Sequence, residues 1–377
     1  MSGRASLVES LLDRSEQDEA APIITGNQRA LATLACAACS FLGSSDPLMA
    51  HYLQTLAGTT TDVRMPILFW KHVGMTVVGV VWAVVENQTS KPKPKSYHTA
   101  AMGFHLNRRE MVRVAVAAFF LMLVNTCWTY SILMTTASHC VSLFIMSPPW
   151  ACILGWVLLG KRPENHTLFA AFLAFMAAAG IMAVSYLEPP PGDAAQESGA
   201  HVVDFSGDVV ALMSGIFLAC YTTTLDWGHS TCPTAPMHIA APLAAVGVVL
   251  ATLVGSWGIG YPLRDLLGEG VILPGFAIFA LVNSFTEAVW DIVPSWAAKY
   301  ISAPSIGLVL LLELPLGPLY VLLAFGEKPS AVDVVLGLVM LLALAIEHVV
   351  PALYPDMVDR ARTHPVAQNA RSSLAGP

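Results

Sequence analysis

The chain repeats itself at an offset of 166 residues. Ala137, Pro149, Gly160 and Pro163 recur without a gap as Ala303, Pro315, Gly326 and Pro329. Between them lie matching apolar runs, 141–159 and 307–325, each followed by a short turn (GKRPEN, GEKPSA) and a second apolar run. Small and helix-breaking residues in register are hard to obtain from composition alone. In an apolar chain, such duplication implies two halves that face each other across a path near the bilayer midplane.

Composition places the chain in the membrane. Hydrophobic residues make up 55% of the 377 and charged ones only 12%, about half the charged share of a soluble domain. Separated amphipathic helices or alternating strands, the marks of a soluble multidomain protein, are absent from the pattern. A membrane-spanning helix needs about 20 apolar residues. Ten segments qualify: 30–51, 65–85, 111–134, 138–159, 168–186, 208–227, 237–257, 271–296, 302–325 and 331–350. The expected fold is an all-α membrane protein, ten transmembrane helices as two inverted five-helix repeats. Its expected divisions are a disordered cytoplasmic tail (1–28), a first repeat (29–187), an extracytoplasmic loop (188–206), a second repeat (207–351) and a cytoplasmic tail (352–377).

Charge position sets the orientation. With the N-terminus cytoplasmic, fifteen of the 19 Lys and Arg fall inside, against Arg64, Arg264 and Lys328 outside and Lys71 within a span. This is the positive-inside asymmetry. The 187–206 loop has no Lys or Arg but carries Glu188, Asp193, Glu197 and Asp204, which suits the outer side. Both termini are therefore expected in the cytoplasm. Five helices per half is an odd number, so the second half enters the membrane upside down.

Several function classes are disfavoured. There is no HExxH, no Walker A sequence and no Ser-His-Asp set in suitable loops, so no enzyme, cofactor or metal is expected. The basic stretch KPKPKSYHTAAMGFHLNRR suits topology and anionic headgroups rather than nucleic acid. The seven cysteines fall mostly in apolar runs without paired spacing and read as small buried hydrophobes. No apolar signal-peptide core precedes residue 28. Glu19-Ala-Ala-Pro-Ile-Ile reads either as an acidic dileucine-type signal for endosomal or vacuolar membranes or as a chance match in a disordered tail, leaving plasma and endosomal/vacuolar membranes open.

The sharpest chemical signal is in the eighth segment. Asn283, Glu287 and Asp291 are spaced i, i+4, i+8 and share one helix face, with Trp290 and Pro294 beside it. An ionisable group deep in a bilayer costs at least ~2.5 kcal/mol, so two carboxylates on one face require water, a partner or a ligand. The offset maps Asp291 onto Asn125 and Pro294 onto Trp128. The polar pair reads either as part of a substrate site or as packing glue between helices. Trp128 and Tyr130 suit stacking on a ring or cation, or ordinary belt packing. Glu313 beside Pro315 and Pro318 reads as a gating or coupling carboxylate on a broken helix, or as a buried acid bonded to a freed carbonyl. Pro148-Pro149 is the matching, uncharged break. Asp46, in GSSDP, is expected to line an external vestibule, Asp226 to be interfacial and solvated, and Lys71 to snorkel outward along its stem. His139 and His238 are expected at the interface.

The stretch TTASHCVSLFIMSPPWACILGWVLLGKRPENHTLFAAFLAFMAAAG resembles the repeat of the drug/metabolite transporter superfamily, the EamA-like families. The stretch KYISAPSIGLVLLLELPLGPLYVLLAFGEKPSAVDVVLGLVML looks like its partner, and VNSFTEAVWDIVPSWAAKY is similar to the solute-carrier 35 F-type branch. Many members carry glutamate directly before the mid-helix proline, where this chain has Ser147 and Leu314; many also have a basic residue at the place of Lys71. The resemblance implies ten helices, a central cavity lined largely by helices 1, 3, 4, 6, 8 and 9, and alternating access.

The expectation is thus a secondary transporter of a small organic solute in a lipid bilayer, cationic or zwitterionic, with proton coupling as one option and a homodimer allowed. Asn125, Trp128, Asn283, Glu287, Trp290 and Asp291 are the expected substrate-binding residues; Glu313, Pro315, Pro148 and Asp46 are the expected coupling or gating residues. The alternatives are a non-transporting scaffold or receptor, a channel, and a nucleotide-sugar or organic-anion exchanger. One topological consequence is directly measurable. The sequons Asn87-Gln-Thr and Asn165-His-Thr lie in loops assigned to the cytoplasm, so expression in a glycosylating host should give protein whose gel mobility is unchanged by glycosidase.

Overall fold

The computed structural model describes residues 26–57, 64–89, 99–101, 104–106, 108–135, 137–144, 146–187, 205–231, 236–267, 274–325 and 331–353. The sorting signal at Glu19, the acidic 188–204 loop, Cys232, the GEKPSA turn after Phe325 and the C-terminal tail lie outside them. Fourteen helices account for almost all of the described chain: α1 (Gly26–Gly43), α2 (Asp46–Ala57), α3 (Arg64–Thr89), α4 (Arg108–Ile132), α5 (Ala137–Phe144), α6 (Ser147–Leu159), α7 (Asn165–Leu187), α8 (Phe205–Thr231), α9 (Ala240–Gly258), α10 (Leu263–Leu266), α11 (Pro274–Ala297), α12 (Ala303–Leu310), α13 (Glu313–Phe325) and α14 (Ala331–Leu353). A single antiparallel hairpin pairs Thr99–Ala101 with Phe104–Leu106, and a 3₁₀ turn, Met237–Ile239, leads into α9. Among the described residues, seven helical stretches are long and apolar enough to cross a membrane, and two shorter apolar helices accompany them.

The packing is that of helices whose solvent is lipid. On α7 the small residues Ala170, Ala174, Ala177 and Ala178 are buried, while the large Phe169, Phe172 and Met176 face outward. In water this arrangement would waste the hydrophobic effect. In hydrocarbon, small residues at the contact allow close helix approach and large apolar ones meet lipid at no cost. The partner of this alanine face is α14.

Three of the apolar runs are broken. The first breaks at Ser44-Ser45, where Ser44 Oγ and Ser45 Oγ donate to the Ser40 and Leu42 carbonyls left over from α1. The second breaks between α5 and α6, the third between α12 and α13. The prolines were expected to sit at the breaks inside continuous helices. Instead Pro148 and Pro149 occupy the first turn of α6, and Pro315 lies near the start of α13. A proline in the first turn forfeits no intrahelical bond, so each helix stops earlier and restarts just before Pro148-Pro149 in one half and Pro315 in the other.

The helix bounds carry the 166-residue offset much further than the sequence does. Added to α5, α6 and α7, it returns α12, α13 and α14 with both ends matched; added to α4, it returns α11 to within a residue. Contacts follow the same correspondence. The α4–α8 contact has its counterpart in α11–α1, α4–α9 in α11–α3, α5–α8 in α12–α1 and α6–α12 in α13–α5, while α3–α9 and α7–α14 join corresponding helices directly.

One glycine holds the second break against its neighbour. A Cβ at Gly215 of α8 would come within 2.7 and 2.8 Å of the Phe144 and Leu143 carbonyl oxygens, which end α5. Gly255 in α9 has nothing within 4 Å of the same atom. Gly215→Ala should therefore lower stability in detergent by about 1–3 kcal/mol through overpacking. Gly255→Ala should be neutral or raise it by up to about 1 kcal/mol through helix propensity. Thermal unfolding of both variants, measured side by side, checks the contrast.

Candidate functional site

The acidic face of α11 points into the protein. Asn283, Glu287 and Asp291 are all buried, and the same register continues one turn further to buried Ser295. Helices α2, α3 and α4 converge on this stripe and satisfy most of it. Asn125 Nδ2, from α4, donates to Asp291 Oδ2 at 2.9 Å. These two residues are 166 apart, so the pair that the repeat sets in correspondence is also a pair in direct contact. Asp291 Oδ1 has no hydrogen-bond partner, although the residue is 0% exposed.

One turn away, Lys71 of α3 reaches the stripe. Its Nζ donates to Asp46 Oδ1 and Oδ2 at 2.9 Å each and lies 3.4 Å from Glu287 Oε1. An ammonium has three N–H groups, and three carboxylate oxygens surround this one. The snorkelling expected for Lys71 is overturned: it is only 3% exposed, because two buried carboxylates draw it inward more strongly than headgroup water draws it out. The expected vestibule position of Asp46 is corrected too. The break after α1 makes it the first residue of α2, where the helix dipole favours an anion, and it is 1% exposed. Its Oδ2 also accepts the Trp128 indole N–H at 2.5 Å.

A second indole closes the opposite side. Trp290 Nε1 donates to Glu313 Oε1 at 2.5 Å, so Glu313 is bonded to a tryptophan and not to a carbonyl freed by the proline. The Phe144 ring lies between the two tryptophans, 4.5 Å from Trp128 and 5.9 Å from Trp290, centroid to centroid. Together Gly43, Val124, Asn125, Trp128, Phe144, Glu287, Trp290 and Glu313 enclose a cavity of about 10 Å³, room for about one water. Gly43 is required there, since any Cβ would overlap the Trp290 indole.

Of the expected binding residues, Asn125, Trp128, Glu287 and Trp290 line this cavity with Glu313. Asp291 adjoins it through its bond to Asn125. Asn283 does not line it; it lies one turn along the stripe, 1% exposed, with both side-chain polar atoms unpartnered. Pro148 packs against Gly307 across the α6–α12 contact and Pro315 against Gly337 of α14, so both sit behind the cavity wall. Asp226 forms a 2.7 Å ion pair with Lys161 at the surface. His238 is buried, and the His139 side chain lies outside the described residues. Tyr130 donates its hydroxyl to Met65 Sδ.

Sequence reasoning missed Lys71 as a member, and it missed Phe144, Tyr221 and Ser295. The Tyr221 hydroxyl donates toward Ser295 Oγ at 3.2 Å and the Asp291 carbonyl at 3.3 Å. Ser295 was one further step of the i+4 register and recoverable from spacing; Phe144 and Tyr221 carry no comparable signal. Among the described residues, no group of three or more His, Cys, Asp and Glu is arranged to hold a metal ion.

Comparison with known proteins agrees with this architecture. Residues 30–183 match the model of the EamA-like transporter family. With its apolar helices, the chain is a multi-pass membrane protein bearing a transporter-family domain in its first half. Among curated proteins none matches it significantly. Matches to solved structures extend to 28 chains; one, described only as "Crystal structure of protein", aligns with a TM-score of 0.55 at 12% identity, over 85% of this chain and 98% of its own. That likeness shows a shared fold and nothing about ligand.

The two acidic ion pairs offer a contrast in energy. Removing one partner of a buried pair costs about 3–5 kcal/mol, whereas an exposed pair contributes about 0–1 kcal/mol. Asp46→Asn should therefore lower the unfolding temperature in detergent markedly, and Asp226→Asn hardly at all. Equal shifts would mean that the Lys71 cluster is solvated.

Proposed function

We propose that the chain is a secondary transporter that moves a small organic solute across the membrane by alternating access of two inverted five-helix repeats, 29–187 and 207–351, with both termini in the cytoplasm. The observation that carries this reading is the Asn125–Asp291 hydrogen bond at 2.9 Å between positions 166 apart. Two corresponding positions touch only where a two-fold relation places them next to its axis. A polar pair at such a place, deep among apolar helices, is what a path through the centre of the protein requires. Matched helix bounds and matched contacts support the same relation.

The chemistry of the enclosed groups favours a cationic or zwitterionic solute. Asp46, Glu287, Asp291 and Glu313 are four buried carboxyl groups, and Lys71 is the one ammonium among them. That imbalance leaves a demand for positive charge which protons or a cationic solute can meet. Trp128, Trp290 and Phe144 supply ring faces suited to a cation. An anionic nucleotide-sugar or organic-acid substrate would need a basic group free to hold it, and Lys71 is already surrounded by three carboxylate oxygens. In this reading Asn125, Trp128, Glu287, Trp290 and Asp291 form the site, Asn283 extends it, and Glu313 is the coupling carboxylate.

The cavity of about 10 Å³ is far smaller than the roughly 300–1,000 Å³ of a ligand pocket, so in this reading the conformation is a closed one. Opening requires the breaks before α6 and α13 to hinge. The test is a thermal-shift screen of organic cations and zwitterions on purified protein, followed by uptake of any hit into proteoliposomes. The hit should raise the unfolding temperature by mass action and show saturable counter-transport. Asp291→Asn should cut both uptake and stabilisation at least tenfold in concentration terms, and Glu313→Gln should abolish acceleration of uptake by a pH gradient while leaving stabilisation in place. Linear, non-saturating flux would favour a channel, and binding without flux a receptor.

A further inference from the structure

The closed site already contains a cation, and it is covalently attached. We infer that Lys71 is a resident counter-cation, a tethered alkylammonium that occupies the amine subsite between Asp46 and Glu287, and that the solute's own ammonium group takes its place. This rests on the transport reading above and narrows it to solutes bearing an N–H ammonium on a slim alkyl stem.

Four observations lead there. The Lys71 ammonium is surrounded by three carboxylate oxygens, two from Asp46 that accept its hydrogen bonds at 2.9 Å and one from Glu287 at an ion-pair distance of 3.4 Å. The subsite is therefore built for an ammonium, with carboxylate oxygens where an anion would be repelled. Both carboxylates are tied to the cavity: Glu287 lines it, and Asp46, behind that lining, holds the indole of Trp128, which lines it as well. A solute in the cavity and Lys71 thus compete for the same oxygens. Thirdly, the stripe has unused hydrogen-bonding capacity on both sides of Glu287. Asn283 is 1% exposed with both its Oδ1 and Nδ2 unpartnered, and Asp291 Oδ1 is unpartnered in a residue that is 0% exposed. Such orphaned buried atoms are rare and call for an explanation; a second N–H-bearing group beside Lys71 would supply donors to the two oxygens, Asn283 Oδ1 and Asp291 Oδ1. Lastly, the ion pair joins the two halves. Asp46 and Lys71 stand on α2 and α3, and Glu287 on α11, so moving Lys71 aside releases a contact that holds the repeats together on that side.

The consequence is a carrier that closes when empty. Four buried carboxyl groups with no cation among them would keep a water-filled passage open, because burying an unpaired charge is too costly. Lys71 removes that obstacle without a passenger, and displacing it couples arrival of the solute to opening.

Chemical rescue tests this directly. Lys71→Ala deletes three methylenes and the ammonium, which n-propylammonium replaces. The variant should unfold at a lower temperature than the wild type. Millimolar n-propylammonium chloride should restore at least half of that loss in a saturable manner, and 1-propanol and tetramethylammonium should not. In Lys71→Ala/Asp46→Asn the rescue should weaken at least tenfold. If Lys71→Ala does not survive extraction, the yield of monodisperse protein becomes the readout: recovery with n-propylammonium present throughout, and not with 1-propanol, is expected. Equal rescue by 1-propanol would reduce the effect to cavity filling, and no rescue by the amine would remove the subsite; either overturns the inference and leaves the transport reading to its own flux assay. Rescue in a protein that transports nothing would retain the amine subsite and dismiss transport.

Discussion

An ionised group in a bilayer has few places to go, and the disposition of this protein follows from that cost. Two carboxylates a turn apart on α11 cannot face lipid. They turn inward, and everything packed against them must then offer a donor or a cation. Lys71 comes from α3, the Trp128 indole and the Asn125 amide from α4, and the Trp290 indole turns from α11 itself toward Glu313. Remove the need to satisfy these acids and there is little reason for three apolar helices to spend polar side chains at the same depth. The apolar remainder is permissive by comparison. Alanine faces such as that of α7 let helices approach, but they specify no unique partner.

The broken helices belong to the same economy of polar groups. A break liberates carbonyls that lipid cannot solvate, so each one here is covered by protein. Serine hydroxyls cover the break after α1, and the backbone of α8 closes over the end of α5 at Gly215. In return, a break aims a helix N-terminus into the bundle. Two of the three restarting helices begin with an acid, Asp46 on α2 and Glu313 on α13, and each of these acids accepts an indole N–H. The third, α6, begins with Ser147 and two prolines.

The elements that sequence made legible are those governed by period and composition. The apolar runs gave the helices, the i+4 spacing gave the buried stripe, and the offset put Asn125 against Asp291 before any coordinate did. Polar partners between distant helices were not legible. Lys71 looked like a residue one turn from headgroups, since its attraction inward depends on Asp46, which a break after α1 redirects. That break comes from Gly43-Ser44-Ser45, a run that reads equally well as a helix interior in an apolar protein. The partner of Glu313 was hidden for a related reason: Trp290 lies on a different helix, beside the acidic stripe. Pairwise chemistry across a bundle has no period to find.

The Asn125–Asp291 contact also bears on why two such similar halves are not identical. Wherever corresponding positions meet, a perfect repeat would bring a residue against its own copy. Two aspartates so placed would repel unless they shared a proton, and two asparagines would bring no charge to the site. One of each gives an N–H donor, a carboxylate acceptor and a spare oxygen, Asp291 Oδ1, beside the cavity. The same asymmetry recurs one layer away, where Lys71 stands on α3 and the offset places Met237, in the turn leading into α9, at the corresponding position. On the transport reading proposed above, the correspondence of the helices supplies two ways to close, and the departures from symmetry among their polar side chains decide what must be bound for one of them to open.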